Sequence, residues 1–168
     1  MHSLERRKVC RLPWLAPTLL LAAKEVCSLP AGTRQIAYHM GLTVGMRSEI
    51  SLVVAEEHTA AHFGAGGVHV FGTPMMIGLM ESAAWSLVQS ELDAGETTVG
   101  TLVNVRHLAA TGLGQKVSAT AELVEIDGRR LVFQVTAHDE RQLIGEGLHE
   151  RARVQLDRFL ARVEEGGS

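Results

Sequence analysis

The stretch Gly72-Thr73-Pro74-Met75-Met76-Ile77-Gly78-Leu79-Met80-Glu81-Ser82-Ala83-Ala84-Trp85 decides how this chain is read. Thr73 followed by Pro74 is a helix start, an N-cap residue before proline at the first helical position. The helix is expected over 74 to about 91, with Asp93-Ala94-Gly95 ending it. It is apolar round most of its circumference, which marks a core helix. Wound at about 100° per residue, it sets Glu81 beside Ile77, Ala84, Trp85 and Val88, while Ser82, Ser86 and Gln89 gather on another stripe. A carboxylate on an apolar stripe must be paired, hydrogen-bonded or shifted in pKa, because burying it bare is expensive. Glu81 is therefore the first candidate for chemistry.

Strand patterns flank this helix. Before it, Ile50, Leu52 and Val54 alternate with Ser51 and Val53, and Glu56-Glu57-His58 ends the run. Residues 59–72 are rich in Gly and Ala and read as a mobile loop. After it, 98–110 reads as strand, and a turn follows at Thr111-Gly112-Leu113-Gly114. Residues 116–126 alternate well, and Asp127-Gly128 is a strong hairpin signal leading into 130–138. A turn at Asp139-Glu140-Arg141-Gln142 leads to 143–156, and 155–164 is an amphipathic end, helix or continued strand. The order is strand, loop, long buried helix, then four antiparallel strands. One apolar helix needs a curved antiparallel sheet to wrap it. That is an α+β chain in the order of a hotdog fold, in which a second copy usually completes the burial.

Composition sets the bounds. The chain has 168 residues, 46% hydrophobic and 21% charged, with a formal net charge of -3. One folded domain with a sizeable core fits this length. No long basic block favours nucleic acid as partner. Cys10 and Cys27 are the only cysteines, so the later chain offers no thiol nucleophile and no disulfide. That suits a reducing compartment, and a cytoplasmic location is expected. Arg6, Arg7 and Lys8 before Leu12–Ala23 loosely copy a signal peptide but are too short and proline-broken to span a membrane. Residues 1–39 are expected to lie outside the fold, as translated upstream sequence with the functional start near Met40 or as a signal-like segment. The domain then runs over 40–168.

Other candidates have plainer readings beside the chemical ones. A cap alone accounts for Thr73, although a hydroxyl at a buried helix start can also face a substrate, with nearby N–H groups aimed at an oxyanion. His107, in Val103-Asn104-Val105-Arg106-His107-Leu108, falls on the apolar strand side with Val103 and Val105. It is a core histidine or a base within reach of Thr73 and Glu81. Gly100 inside a strand suggests a bulge or a close approach of backbone to ligand. His149-Glu150-Arg151 reads as a surface strand with alternating charge, or Arg151 as a ligand contact. His58, His62 and His69 lack the pattern of a zinc site, and no metal is expected.

Several of these segments together resemble the fluoroacetyl-CoA thioesterase group of hotdog enzymes. They are Gly72–Glu81, Gly100–Thr111, Ala119–Leu123, Asp127–Leu131 and Gly145–Ala152, in order and at the family's spacing across about residues 44–165. The resemblance implies a threonine–glutamate–histidine site at Thr73, Glu81 and His107, with Gly100 and Arg151 as ligand contacts. The implied reaction is hydrolysis of an acyl-CoA thioester to a carboxylic acid and free CoA, with no cofactor beyond that substrate. The implied assembly is a homodimer or higher even oligomer, without a nucleic-acid or membrane partner. One departure matters: Ala65-Gly66-Gly67-Val68-His69-Val70-Phe71 lacks the phenylalanine lid of the fluoroacetyl-specific enzyme. The expected substrate is accordingly a short or medium acyl-CoA. Rival readings are a non-catalytic acyl-CoA binder, an enoyl-CoA hydratase and a structural dimer module. The hydratase usually wants an aspartate–histidine pair near the helix, and 73–91 holds none.

Overall fold

The computed structural model describes residues 41–166; the signal-like segment read over 1–39 lies outside them. Five strands form one antiparallel sheet: β1 (Arg47–Val53), β2 (Glu96–His107), β3 (Lys116–Asp127), β4 (Arg130–Asp139) and β5 (Leu143–Gln155), in the order β1-β3-β4-β5-β2. Helix α1 (Thr73–Gln89) lies on one face, and a short helix α2 (Leu156–Glu164) follows β5. This is the α+β hotdog arrangement expected from the order of elements.

The alternation in β3 and β4 builds the seat for α1. Val117, Ala119, Ala121 and Leu123 are buried, and so are Phe133, Val135 and Ala137 opposite them. The register pairs Ala119 with Ala137, Ala121 with Val135 and Leu123 with Phe133. Small side chains at the centre of the sheet let the helix approach closely, and Met76, Met80, Ala83, Ala84 and Val88 fill the gap from its side. Ser48 Oγ donates to the Ala83 carbonyl at 2.7 Å, tying β1 to the middle of the helix. The hairpin at Asp127-Gly128 is as read: Asp127 pairs with Arg130, and Gly128 takes φ +56°, which favours glycine.

One reading changes and an open one is resolved. The segment 59–72 is pinned by single bridges from Thr59 to Phe71 and from Val70 to Gly112, with Phe71 buried. Its glycine richness hid two anchored ends. The amphipathic end is a helix, α2, starting where β5 stops.

Three features of the sheet place the site. β5 lies between β4 and β2, so its helix-facing side chains are covered from three directions. β2 is an edge strand, with a bulge between Gly100 and Leu102. Along it Leu102 and Val103 are exposed, and so is Trp85 on the helix.

Candidate active site

Thr73 is the first residue of α1 rather than its cap. The N-cap is Gly72, which makes no side-chain cap bond. A Cβ at position 72 would press on the Ala60 backbone at 3.1 Å, which explains why a capping serine or aspartate is absent there. Released from capping, Thr73 Oγ1 lies 2.8 Å from His107 Nδ1. His107 comes from the end of β2, and the two line a cavity with Val70, Phe71, Leu108 and Ala109.

Burial holds the His107 imidazole below its ordinary 6.5, partly offset by the Ala109 backbone. It is neutral at pH 7 and able to take a proton. Its Nε2 is buried without a hydrogen-bond partner among the described residues. The helix start offers fewer anion donors than its sequence implies. Pro74 has no N–H, and the Met75 and Met76 amides both bond to the Gly72 carbonyl at 3.0 Å. The Thr73 N–H is left without a backbone partner among the described residues.

Glu81 is elsewhere. It lies two helical turns further on, about 12 Å of rise from Thr73. Its carboxylate is 39% exposed and meets β5 and β2 rather than His107. Arg151 Nη1 approaches Glu81 Oε1 at 3.4 Å, and His149 Nε2 is 3.6 Å from the same oxygen. Gly100 supplies the space: a Cβ there would fall 2.5 Å from Glu81 Oε1. Gly78, Ser82 and Trp85 complete the open cavity round the carboxylate and Arg151.

Arg151 is fixed by its own strand neighbours. Nε donates to Thr98 Oγ1 at 2.9 Å and Nη2 to the Thr98 carbonyl at 2.8 Å. Nη1 reaches His149 Nε2 at 3.1 Å as well as Glu81. Of the five guanidinium N–H groups, this leaves one, on Nη2, without a partner among the described residues. Burial lowers the Arg151 pKa, and Glu81 opposes that shift.

A single chain therefore brings Thr73 and His107 together at one place, and Glu81, Gly100 and Arg151 at another. Along β2, Gly100 and His107 are about 23 Å of strand apart. The surface-strand reading of His149-Glu150-Arg151 is overturned. His149 is 1% exposed and Arg151 7%, because β5 is an inner strand and both residues face the helix. The alternation was visible in the sequence, but charge on both faces disguised which one is inside. Two of the histidines of 58–69 have ordinary work: His58 Nδ1 accepts from the Ala55 amide at 3.0 Å, and His69 pairs with Glu56.

The family profile described as fluoroacetyl-CoA-specific thioesterase, FlK, matches residues 54–157. The chain belongs to this family. It is accordingly a thioester hydrolase of the acyl-CoA thioesterase kind. It is similar to a fluoroacetyl-CoA thioesterase from Streptantibioticus cattleyicolor, 40% identical over 131 residues, covering 74% of this chain and 94% of that protein. Among solved structures, it resembles the fluoroacetyl-CoA thioesterase FlK with a TM-score of 0.72 at 40% identity, over 76% of this chain and 99% of that one. A Thermus thermophilus member of the thioesterase superfamily aligns with a TM-score of 0.69 at 30% identity, over 73% and 91% of the two chains.

Proposed function

We propose that the chain hydrolyses a short or medium acyl-CoA in a site shared between two copies, without selectivity for the fluoroacetyl group. The observation that carries this is the separation of Thr73–His107 from Glu81–Arg151 within one chain, at two points along β2, whose outer edge pairs with no strand among the described residues. An antiparallel pairing of β2 with its own copy needs a two-fold axis across that strand. An axis through Asn104 would pair Val105 with the partner subunit's Val103 and set His107 opposite the bulge that begins at the partner's Gly100, and so beside the partner's Glu81. The same pairing covers Leu102, Val103 and Trp85, which are exposed in one chain. It also occupies the unpaired backbone groups of an edge strand.

In such a site His107 is the neutral base, and the Thr73 hydroxyl bonded to it handles the proton. A water oxygen, or Thr73 Oγ1 itself, adds to the thioester carbonyl carbon as its proton passes to His107, the Thr73 N–H steadies the oxyanion, and the C–S bond breaks; where Thr73 attacks, water then cleaves the resulting ester to release the acid. The CoA thiolate leaves with the proton His107 removed, and one water is consumed overall. The carboxylate of Glu81 charge-balances the imidazolium that forms. The apolar wall of Val70, Phe71, Leu108 and Ala109 suits a short alkyl group. The segment 65–70 offers no phenylalanine to select fluorine.

The experiment is a panel of acyl-CoAs with a thiol reagent reporting free CoA, run on wild type and Glu81→Gln. Hydrolysis of acetyl- to hexanoyl-CoA that Glu81→Gln abolishes supports the proposal. A folded Glu81→Gln protein with near wild-type turnover sinks the site, and tight binding without thiol release indicates a binder.

A further inference from the structure

His149 is a buried titratable group that the reaction above leaves unused. Its ring is enclosed from every side. Glu81 faces it from α1 and Arg151 from its own strand; β2 contributes the Leu102 carbonyl and Gly100, and β4 the Phe133 ring. Glu81 and Arg151 are the only charged groups among these neighbours.

The partners determine where its proton is. Arg151 has donors and no acceptor, so at 3.1 Å its Nη1 needs a lone pair on His149 Nε2. The Leu102 carbonyl has lone pairs only, so at 2.8 Å it needs a proton on Nδ1. Both requirements are met by one species, the neutral imidazole protonated at Nδ1. An imidazolium would set an Nε2–H against a guanidinium N–H, donor against donor and charge against like charge. The 3.6 Å approach of Nε2 to Glu81 is then not an ion pair, since the ring carries no charge there.

We infer that His149 is a positioning residue for Glu81: as an Nδ1-protonated neutral ring it accepts from Arg151 Nη1 and keeps the guanidinium turned toward the Glu81 carboxylate. This rests on the reading of Glu81 as the functional carboxylate. The carbonyl of Leu102 fixes the ring, the ring fixes the guanidinium together with Thr98, and the guanidinium holds a carboxylate that is otherwise open to solvent on one side. Burial, the largest influence, holds the imidazole below its ordinary 6.5. Arg151 adds to that shift, while Leu102 and Glu81 oppose it.

Two measurements test this. In the protein labelled with ¹⁵N-histidine, the ring nitrogens of His149 are expected to report a proton on Nδ1 and a bare Nε2 at pH 7. A proton on Nε2, or an imidazolium at that pH, would overturn the inference. This spectrum needs no substrate, so it stands or falls independently of the Glu81 assignment. In the thiol-release assay, His149→Leu removes the acceptor at similar bulk, and His149→Gln retains one in its amide oxygen. Loss of kcat of about 10- to 100-fold is expected for His149→Leu, the scale of a misplaced reacting group, with KM changed less than about threefold and most of the loss restored in His149→Gln. Equal impairment of the two folded variants, or wild-type kcat in His149→Leu, would also overturn it. If His149→Leu does not fold, His149→Gln and the spectrum decide: near wild-type kcat with Nδ1 protonated supports the role, and a collapsed kcat refutes it.

Discussion

Gly100 and Glu81 share one space: the volume a β-carbon would take on the strand is occupied by the carboxylate oxygen of the helix, 2.5 Å from where that carbon would be. Gly100→Ala should therefore displace the Glu81 head rather than unfold the protein, because the obstructing atom ends a flexible side chain. The His149 ring edge, 3.3 Å from the same point, closes the alternative path. The expected outcome is a kcat lowered about 10- to 100-fold, as for a catalytic group moved by about 1 Å, with a melting temperature close to wild type. Steady-state kinetics beside thermal unfolding would check both halves; unchanged kcat would show that the carboxylate has room to spare.

If the site is shared between copies, two dead variants should repair one another. Glu81→Gln and His107→Ala, each inactive alone, are unfolded together and refolded as a mixture. Random pairing makes about half the dimers mixed, and each mixed dimer holds one intact site of two, giving about a quarter of wild-type activity. A site complete within one chain would give no recovery.

Acid should weaken the fold in two separate windows. His107 and His149 both have pKa values held below 6.5, chiefly by burial. The unfolded chain takes up protons on these rings that the folded one does not, so stability is full above about 6.5 and falls as pH drops below it. Asp139 behaves as a depressed carboxylate, held down first by the Arg141 amide and also by the Gln142 amide and the Thr111 hydroxyl. Its contribution is present above the ordinary 3.8 and is lost as pH falls through its lower folded value. Urea midpoints from pH 8 to 2 should fall first near 6.5 and again below 3.8, and His149→Gln should flatten the first step. A curve with no step between pH 7 and 5 would contradict the histidine placement.

Gly147 differs from Gly100 in what obstructs it. A β-carbon there would overlap the carbonyl oxygen of Asn104 and the Cα of Val105, both backbone atoms of β2. The strands must separate, so Gly147→Ala is expected to lose about 2–3 kcal/mol of stability, read from chemical denaturation. A loss under about 0.5 kcal/mol would mean that the β5–β2 pairing is looser than its register implies.

The elements were legible where period and punctuation agreed. The alternation of Val117, Ala119, Ala121 and Leu123, the Asp127-Gly128 turn and the Thr73-Pro74 start each specify local geometry, and the strands and helix followed within a few residues. What the sequence could not convey was adjacency across the sheet. His149 and Arg151 look solvent-facing until β5 is known to run between β4 and β2, and this depends on strand order rather than on any local pattern. Thr73, Glu81 and His107 were each singled out from pattern, and the family resemblance joined them. Their distribution over two places in one chain is set by the length of β2, which a linear motif does not express.

The bare start of α1 carries a last consequence. A hydroxyl at the first helical position, bonded to a histidine, caps nothing, and the Gly72 before it has no room for a side chain that could. A side-chain cap is typically worth about 1 kcal/mol, and this helix forgoes it at the turn that carries Thr73. Heat-tolerant versions of the fold will have to find their stability elsewhere, along the sheet or in α2. In hydrogen exchange the first turn of α1 should open well before its middle, leaving the Thr73 hydroxyl on the loosest turn of the helix.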